Sequence, residues 1–276
     1  MSLKSNGYSV EELMAVTIAR DLRDGEKGLT GFAGSGRAGV LAVGIPLAAM
    51  ALARKTHAPN LIILLGAYII NPDLTQLHTL FETGAGIQTL PAQGRISTED
   101  SFGLALRGEI DFGFSSGAQV DRFGNVNITC IGRYEEPKVR LVGCIFQTEH
   151  YTTFQREYIM MEHSARSLVP AVDFITAPGY ISGGNARQEA GLSYGGPRFL
   201  LTDRALFTFD SPDHSARLAS VHAGQDLDDL QAATGFPLQV DGSVKETPAP
   251  TAEELEILRL VVDPHRVLLA PRPARE

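Results

Sequence analysis

The sequence predicts an α/β protein with an open, mostly parallel sheet and helices on both faces. Helical and extended patterns alternate along the chain, as is typical of α/β domains. Residues 61–65 form a short, continuously apolar run of the kind found in strands buried on both faces. Hydrophobic residues make up 43% of the 276 residues, which is enough for a sizeable core. No Ser/Gly linker or block of charge divides the chain, so we expect a single domain spanning 1–276.

The first predicted helix begins at a capping box, with Ser9 as the N-cap and Glu12 three residues further on. A glycine-dense segment, 28–39, then leads into a second helix that contains Pro46. The apolar stretch 38–53 is shorter than the ~20 residues that cross a bilayer. We therefore expect a buried helix here and no membrane span.

The later elements follow in chain order. A helix at 97–107 precedes a strand at 110–114, and further strands are expected at 139–142, 172–176 and 199–203. Segments 205–209 and 218–221 flank a Ser-Pro-Asp-His turn, which predicts an antiparallel pair. Helices are expected at 227–234 and 252–261, the second opened by a capping box of Thr251 and Glu254.

Charge and cysteine content narrow the function classes. The formal net charge is -8, which argues against non-specific binding to nucleic acid or to anionic membranes. A small anionic ligand is still allowed, since a few arginines or helix-terminal amides can bind one. Cys130 and Cys144 are too few for a disulfide framework. With no secretory signal in the N-terminal residues, we expect a cytoplasmic protein.

The most specific stretch is 117–127, GAQVDRFGNVN. Its Asp, Gly and Asn residues favour tight turns, and Gly124 or Asn125 can adopt a positive φ angle. In open α/β sheets, ligands bind beyond the carboxyl ends of strands, where such loops lie. The residues alone leave a ligand-binding loop and a purely structural turn equally open.

This loop resembles that of the β subunit of family I CoA-transferases, and the similarity to the glutaconate CoA-transferase β subunit extends over nearly the whole chain. The supporting segments are 8–20 (YSVEELMAVTIAR), 44–47 (GIPL), 57–60 (HAPN), 159–163 (IMMEH), 172–179 (VDFITAPG), 233–236 (ATGF) and 262–264 (VDP). The resemblance implies an open α/β/α fold, a separate α-subunit-like partner chain, and an active site at the subunit interface. In such transferases a β-subunit glutamate attacks an acyl-CoA thioester and CoA passes to a second acid, a form of covalent catalysis.

Two departures from the family lie in the catalytic neighbourhood. In an ungapped comparison from Ala58-Pro59, the position of the nucleophilic glutamate falls on Gly66. The family's glycine-rich loop, whose amides can bind a developing oxyanion, is replaced after Gly143 by the bulkier segment 144–150 (CIFQTEH). Both changes argue against ordinary glutamyl-CoA chemistry on this chain.

These two departures fit a divergent branch of the same superfamily better. The ring-opening hydrolase of steroid degradation lacks the β-subunit glutamate and hydrolyses a carbon-carbon bond in a cyclic oxo-acyl-CoA. Its β subunit is similar to this chain at 209–222 (FDSPDHSARLASVH) and more loosely at 150–154 (HYTTF). The resemblance implies a catalytic glutamate on the partner α chain. Ring opening also needs a base to activate water and donors for the resulting enolate.

The candidate catalytic residues are Glu149 and His150, because a carboxylate beside an imidazole can do acid-base work near neutral pH. A structural or solvent-facing role for both is the alternative. Binding of substrate or CoA is expected from Gly44, Gly117, Gln119, Asn125 and Gly143, although turn stabilisation accounts equally well for Gln119 and Asn125. No His/Cys/Asp/Glu set has metal-ligand spacing, so no metal is expected.

The predicted function is a CoA-transferase-family β subunit that acts on an acyl-CoA without a nucleophilic glutamate at Gly66. Coenzyme A enters as part of the substrate. One alternative is the ring-opening hydrolase with its glutamate on the α subunit. The other is a catalytically silent scaffolding or regulatory subunit that has kept only the interface.

Overall fold

The computed structural model describes residues 7–31, 36–66, 68–77, 87, 89–192 and 194–269. The chain divides into two compact units. The first comprises Met1–Phe114 with Pro248–Glu276, and the second comprises Ser115–Thr247. A single domain over 1–276 stays a prediction.

The first unit is built on five strands in the order β5-β1-β2-β3-β4. They are β1 (Lys27–Thr30), β2 (Ile62–Leu65), β3 (Ile69–Pro72), β4 (Ala92–Arg95) and β5 (Phe112–Ser115). Strand β1 pairs in parallel with β2 and β5, whereas β3 pairs antiparallel with β2 and β4. The predicted strand at 61–65 is thus a largely buried strand, parallel to β1 and antiparallel to β3, and the open α/β class is confirmed.

Gly28 explains part of the glycine density before the second helix. It lies in β1, and a Cβ atom there would come within 2.1 Å of the Phe112 ring. Only glycine leaves room for this aromatic side chain against the backbone. Residues 27–30 form a strand because they pair in parallel with β2 on one side and with β5 on the other.

Helices of the first unit begin where their caps predict. Helix α1 (Val10–Ala19) has the capping box of Ser9 and Glu12, with both reciprocal hydrogen bonds present. A helical run from Arg37 to Thr56 comprises α2 (Arg37–Gly39), a π-helical turn (Val40–Gly44) and α3 (Ile45–Thr56). Helix α3 packs on α1. Helix α4 (Thr98–Leu106) is capped by Ser97.

The run Arg37–Thr56 is long and apolar enough to cross a membrane by length and composition, with a mean hydropathy of 1.5. Its most apolar window is 78% buried within the protein, as in the core helix of a globular unit.

Near the C-terminus, the helix Ala252–Ile257 has the predicted capping box of Thr251 and Glu254 and continues as a π-helical turn, Leu258–Val262.

The second unit has five sheet strands in the order β14-β13-β12-β11-β10, together with two small hairpin sheets. The hairpins pair β6 (Gln119–Val120) with β7 (Val126–Asn127) and β8 (Cys130–Ile131) with β9 (Val139–Arg140). The sheet contains β10 (Arg156–Met161), β11 (Pro197–Thr202), β12 (Ala205–Thr208), β13 (Arg217–Val221) and β14 (Lys245–Glu246). Strands β12 and β13 form the predicted antiparallel pair.

The helices of the second unit are α5 (Gln147–Thr153), α6 (Ala186–Glu189) and α7 (Leu227–Ala232). Its core lies against the sheet and includes Ile159, Leu200 and Phe207. Helix α7 was predicted from the sequence, whereas α5 was not.

One strand prediction in this unit is confirmed only in part, and another is wrong. The segment expected at 139–142 forms only the two exposed residues of β9, paired with the short β8. The segment 172–176 forms no strand. Its Asp173 N–H donates to the side chain of Gln119, and the adjoining Ala177 makes only an isolated bridge to Val126. Both segments have apolar residues at strand spacing, but neither has a full-length partner strand to pair with.

His163 is a buried neutral histidine of the second unit. Its ring nitrogens lie 2.9 Å from the hydroxyls of Thr202 and Thr234. Thr234 donates its own proton to the Leu230 carbonyl, so His163 Nε2 donates to Thr234. Burial, and then the nearby charge of Arg204, lower the pKa of His163 to about 4. A neutral imidazole is therefore part of the folded structure near neutral pH.

The pH dependence of stability follows from this shift. Because the unfolded histidine titrates near 6.5 and the folded one near 4, unfolding takes up a proton between these values. The contribution of His163 is complete above pH 6.5 and is lost as the pH falls towards 4, by about 3 kcal/mol in total. Urea denaturation at pH 7 and pH 5 should show about 2 kcal/mol of this loss, because pH 5 lies part-way between the two pKa values. His163→Gln should reduce the difference. An equal loss in the variant would contradict the assignment.

Candidate active site

The loop 117–127 is held by its own buried polar side chains. Asp121 is buried, and its carboxylate accepts hydrogen bonds from the backbone N–H groups of Phe123 and Asn125 and from the Asn125 amide. Burial raises the pKa of Asp121, and these hydrogen bonds oppose the rise. The loop is thus an ordered turn, as its Asp, Gly and Asn content predicts.

Asn125 also fixes a second, strained turn. Its Oδ1 accepts from the N–H groups of Gly179 and Ile181 at 2.9 and 3.1 Å, and its Nδ2 donates to the Ile181 carbonyl at 2.8 Å. Ile181 has φ of 60°, which is costly for a β-branched residue. The Asn125 side chain stabilises this conformation by bonding both backbone polar groups of Ile181.

The side chain of Gln119 likewise makes hydrogen bonds to other parts of the protein. Its Oε1 accepts from the Asn127 side chain at 2.7 Å and from the Asp173 N–H at 3.0 Å, and its Nε2 donates to the Asp173 carboxylate at 3.1 Å. Both Gln119 and Asn125 therefore have protein partners for their amide groups. A role of either residue in binding CoA or substrate stays a prediction.

The three candidate glycines lie in different settings. Gly44 is buried and ends the π-helical turn in the first unit. At Gly117 a Cβ atom would lie 2.6 Å from Val126 Cγ1 and 2.9 Å from the Asn127 carbonyl oxygen, so close packing requires glycine. Gly143 has φ of 73° and open space where a Cβ would stand, and its N–H donates to the Ile128 carbonyl. Of the three, Gly143 has the most room for a ligand.

Glu149 and His150 lie on α5, where successive residues point about 100° apart. Glu149 is half-buried, whereas His150 is buried. The His150 ring stacks on Phe154 with centroids 4.5 Å apart and meets the edge of Phe146 at 5.0 Å. These aromatic contacts fix the imidazole, and it faces a different environment from its sequence neighbour.

The carboxylate beside His150 belongs to Glu157 on β10. Its Oε1 lies 3.5 Å from His150 Nδ1. Glu157 is completely buried, and within the described residues neither of its oxygens makes an ordinary hydrogen bond. Burial raises the pKa of Glu157, while His150 and Ser115 oppose the rise. A fully desolvated carboxylate next to an imidazole is a typical acid-base arrangement.

Two polar side chains complete this buried cluster. The hydroxyls of Ser115 and Tyr151 are 2.9 Å apart. Burial and then the charge of Glu157 raise the pKa of Tyr151 well above its usual value, so the phenol stays neutral. Close by, the buried Arg187 guanidinium donates to backbone carbonyls, including those of Pro178 and Tyr151. We call Ser115, His150, Tyr151 and Glu157 the buried polar cluster.

Sequence reasoning found His150 but missed Glu157. The signal was present, since a glutamate inside the apolar strand segment EYIMM (157–161) is unusual for a buried strand. The pairing itself depends on how α5 packs on β10, which no local pattern reveals. Within the described residues, no three His, Cys, Asp or Glu side chains are arranged to hold a metal ion.

Comparison with known proteins places this chain in a family. Residues 11–208 match the Coenzyme A transferase family. The chain belongs to this family. It is 34% identical to a 3-oxoadipate CoA-transferase subunit of Pseudomonas knackmussii, over 92% of this chain and 93% of the relative. The coenzyme A transferase resemblance expected from the loop 117–127 is confirmed.

Two further relatives belong to enzymes of different reaction classes, a transferase and a hydrolase. A glutaconate CoA-transferase subunit of Acidaminococcus fermentans is 28% identical over 95% of each chain. The crystal structure of that transferase superposes with a TM-score of 0.81 and 24% identity, covering 98% of this chain and 100% of the other, which shows the predicted fold. The cholesterol ring-cleaving hydrolase IpdB subunit of Mycobacterium tuberculosis is 29% identical, over 77% of this chain and 82% of the relative. Transferases and a hydrolase are thus both similar to this chain.

Proposed function

We propose that this chain is the β-type subunit of a two-subunit enzyme that acts on an acyl-CoA thioester without using a glutamate of its own as nucleophile. The observation that carries the proposal is Gly66, which follows β2 at the position expected for that glutamate. Gly66 has φ of 62°, in the left-handed region where glycine is favoured over any residue with a side chain. Its N–H donates to the Thr30 carbonyl at 2.8 Å, so this backbone conformation is held by the sheet.

In the absence of that nucleophile, acid-base chemistry is the function supported by the buried polar cluster. His150 exchanges a proton with substrate or water, and Glu157 lies beside it at 3.5 Å. Glu149 remains a second candidate on the same helix. An imidazole held by aromatic neighbours is pre-oriented for proton transfer, which contributes about 10²- to 10⁴-fold in rate.

Ring-opening hydrolysis is a specific alternative to CoA transfer. It is favoured by the relationship to the cholesterol ring-cleaving hydrolase IpdB subunit, together with glycine at position 66. In that case the catalytic carboxylate comes from the α-type partner, and His150 serves as a proton donor or acceptor. A silent scaffolding subunit is the remaining alternative.

The assay that separates these functions uses the assembled pair. The purified chain is combined with its α-type partner, and acyl-CoA consumption is measured with and without acetate. Free CoA or an opened ring without acceptor supports hydrolysis, whereas acceptor-dependent exchange supports transfer. Absence of turnover with straight-chain and cyclic CoA esters would contradict the proposal and favour the silent subunit.

An exposed apolar segment supports the requirement for a partner. Val142 and Ile145 are 90% and 99% exposed, and Val139 and Tyr134 are half exposed. Apolar side chains this exposed and this close in sequence are typical of a surface that a second chain covers. The α-type partner is the occupant proposed here, since the relatives named above are themselves subunits of larger enzymes.

Ile145→Asp should therefore weaken assembly. A charge in the core of an interface typically costs more than about 1 kcal/mol, so we expect at least about a fivefold higher Kd for the α-type partner. The measurement is titration calorimetry with the wild-type partner. Asp228→Asn, an exposed change on α7, serves as the control. An unchanged Kd for Ile145→Asp would place the interface elsewhere.

A further inference from the structure

The contact between His150 and Glu157 joins two side chains that are both removed from water. His150 is 5% exposed and Glu157 is 0% exposed. The Nδ1 atom of His150 and both carboxylate oxygens of Glu157 are buried without an ordinary hydrogen bond in the described part of the chain. Nδ1 of His150 approaches Oε1 of Glu157 to 3.5 Å.

Such a pair is costly unless it is used or compensated. A buried carboxylate that lacks full hydrogen bonding destabilises the fold, and apolar residues of similar size would be neutral or stabilising. The aromatic rings of Phe146 and Phe154 already hold the imidazole plane. The carboxylate is therefore not needed to pack His150, and its position opposite Nδ1 points to a different role.

We propose that Glu157 is a positioning residue that accepts the Nδ1 proton of His150 and so keeps Nε2 as the nitrogen that exchanges protons. This role rests on the proposed acyl-CoA chemistry. Carboxylates that bind one imidazole nitrogen select the tautomer and stabilise the imidazolium that forms during reaction. The present 3.5 Å distance is longer than an ordinary hydrogen bond, and such contacts shorten when positive charge develops on the ring.

The proton balance of the step is simple. His150 Nε2 takes a proton from water: an O–H bond breaks, its electron pair stays on oxygen, and an N–H bond forms. The products are an imidazolium, whose charge is balanced by Glu157, and a hydroxide that forms a C–O bond to a carbonyl carbon of the acyl compound. The C–C bond of the ring or the C–S bond of the thioester at that carbon then breaks, and its electron pair leaves on carbon or sulfur. The proton then passes from Nε2 to the carbanion, enolate or leaving group, which restores the neutral imidazole.

The tautomer can be measured in the isolated chain without any substrate. Two-bond ¹H–¹⁵N spectra of the imidazoles at pH 8 distinguish Nδ1–H from Nε2–H. We expect His150 to be Nδ1–H in the wild type and Nε2–H, the form that neutral histidine favours in water, in Glu157→Leu. Leucine has a similar volume and removes a buried charge, so this variant should fold. An Nε2–H tautomer in the wild type would overturn the proposal.

Kinetics of the assembled enzyme supply the second readout. Glu157→Gln keeps the shape of the side chain and removes the negative charge. We expect kcat to fall at least about tenfold while KM changes less than about twofold, since the loss affects proton transfer and not binding. Glu162→Gln removes a carboxylate from an exposed position just after the same strand and is the matched control.

The outcomes are distinguishable. Unchanged kcat in Glu157→Gln overturns the positioning role. An inactive wild-type complex overturns the proposed function together with this role. An active complex whose His150 is Nε2–H overturns the positioning role and leaves the proposed function in place.

Discussion

Replacing His150 with phenylalanine should lower kcat of the assembled enzyme by about 10²- to 10⁴-fold, the range that a positioned acid-base group contributes. Phenylalanine keeps the aromatic contacts with Phe146 and Phe154, whose rings lie 5.0 and 4.5 Å from that of His150. The substitution therefore removes the titratable nitrogens with little change in packing. The measurement is steady-state kinetics on an acyl-CoA that the wild-type pair consumes.

Variants at two other residues show whether the loss of kcat is specific to His150. His57→Gln changes an exposed histidine of the first unit and should leave kcat within about twofold of wild type. Glu149→Gln tests the second candidate on α5. A large loss in Glu149→Gln with full activity in His150→Phe would reverse the assignment of the acid-base residue.

Replacing Asn125 with alanine should lower the free energy of unfolding by about 3–5 kcal/mol, because several buried polar groups lose their partners at once. The Asp121 carboxylate loses the amide that bonds it at 2.9 and 3.1 Å. The N–H groups of Gly179 and Ile181 and the Ile181 carbonyl lose theirs as well. Urea denaturation measures the loss. Asn185→Ala, at an exposed position, should change stability by less than about 0.5 kcal/mol.

A second variant at the same position tests the electrostatic part of this argument. Asn125→Asp nearly preserves the shape but places another carboxyl group beside the buried Asp121. Both groups tend to ionise at high pH, and like charges in a buried site repel. The variant should therefore be less stable at pH 8 than at pH 5, relative to wild type. If Asn125→Ala lost under about 1 kcal/mol, the account of this loop would be wrong.

The sequence predicts elements whose signals are local. The capping boxes at Ser9 and Thr251 start helices in the structure, and the apolar run at 61–65 is a buried strand. The segments 139–142 and 172–176 have the composition of strands, yet whether such a segment joins a sheet depends on neighbours distant in sequence. The residues of these two segments therefore do not show whether a partner strand is present.

The same limit applies to the candidate site. The sequence pointed to His150 because it stands next to Glu149 in a segment that departs from the family pattern. Its spatial partner is Glu157, seven residues further along on another element, and this pairing depends on the packing of α5 against β10. For Gln119 and Asn125 the sequence left ligand binding and turn stabilisation open, and the structure adds their internal hydrogen bonds.

The central claim is that no glutamate of this chain attacks the thioester, and covalent trapping tests it most directly. The assembled enzyme is turned over with its acyl-CoA substrate in the presence of borohydride, which reduces a glutamyl-CoA thioester, and the chain is then mapped by mass spectrometry. We expect no modified glutamate in residues 1–276. A reduced glutamate on this chain, formed only during turnover and accompanied by loss of activity, would contradict the account.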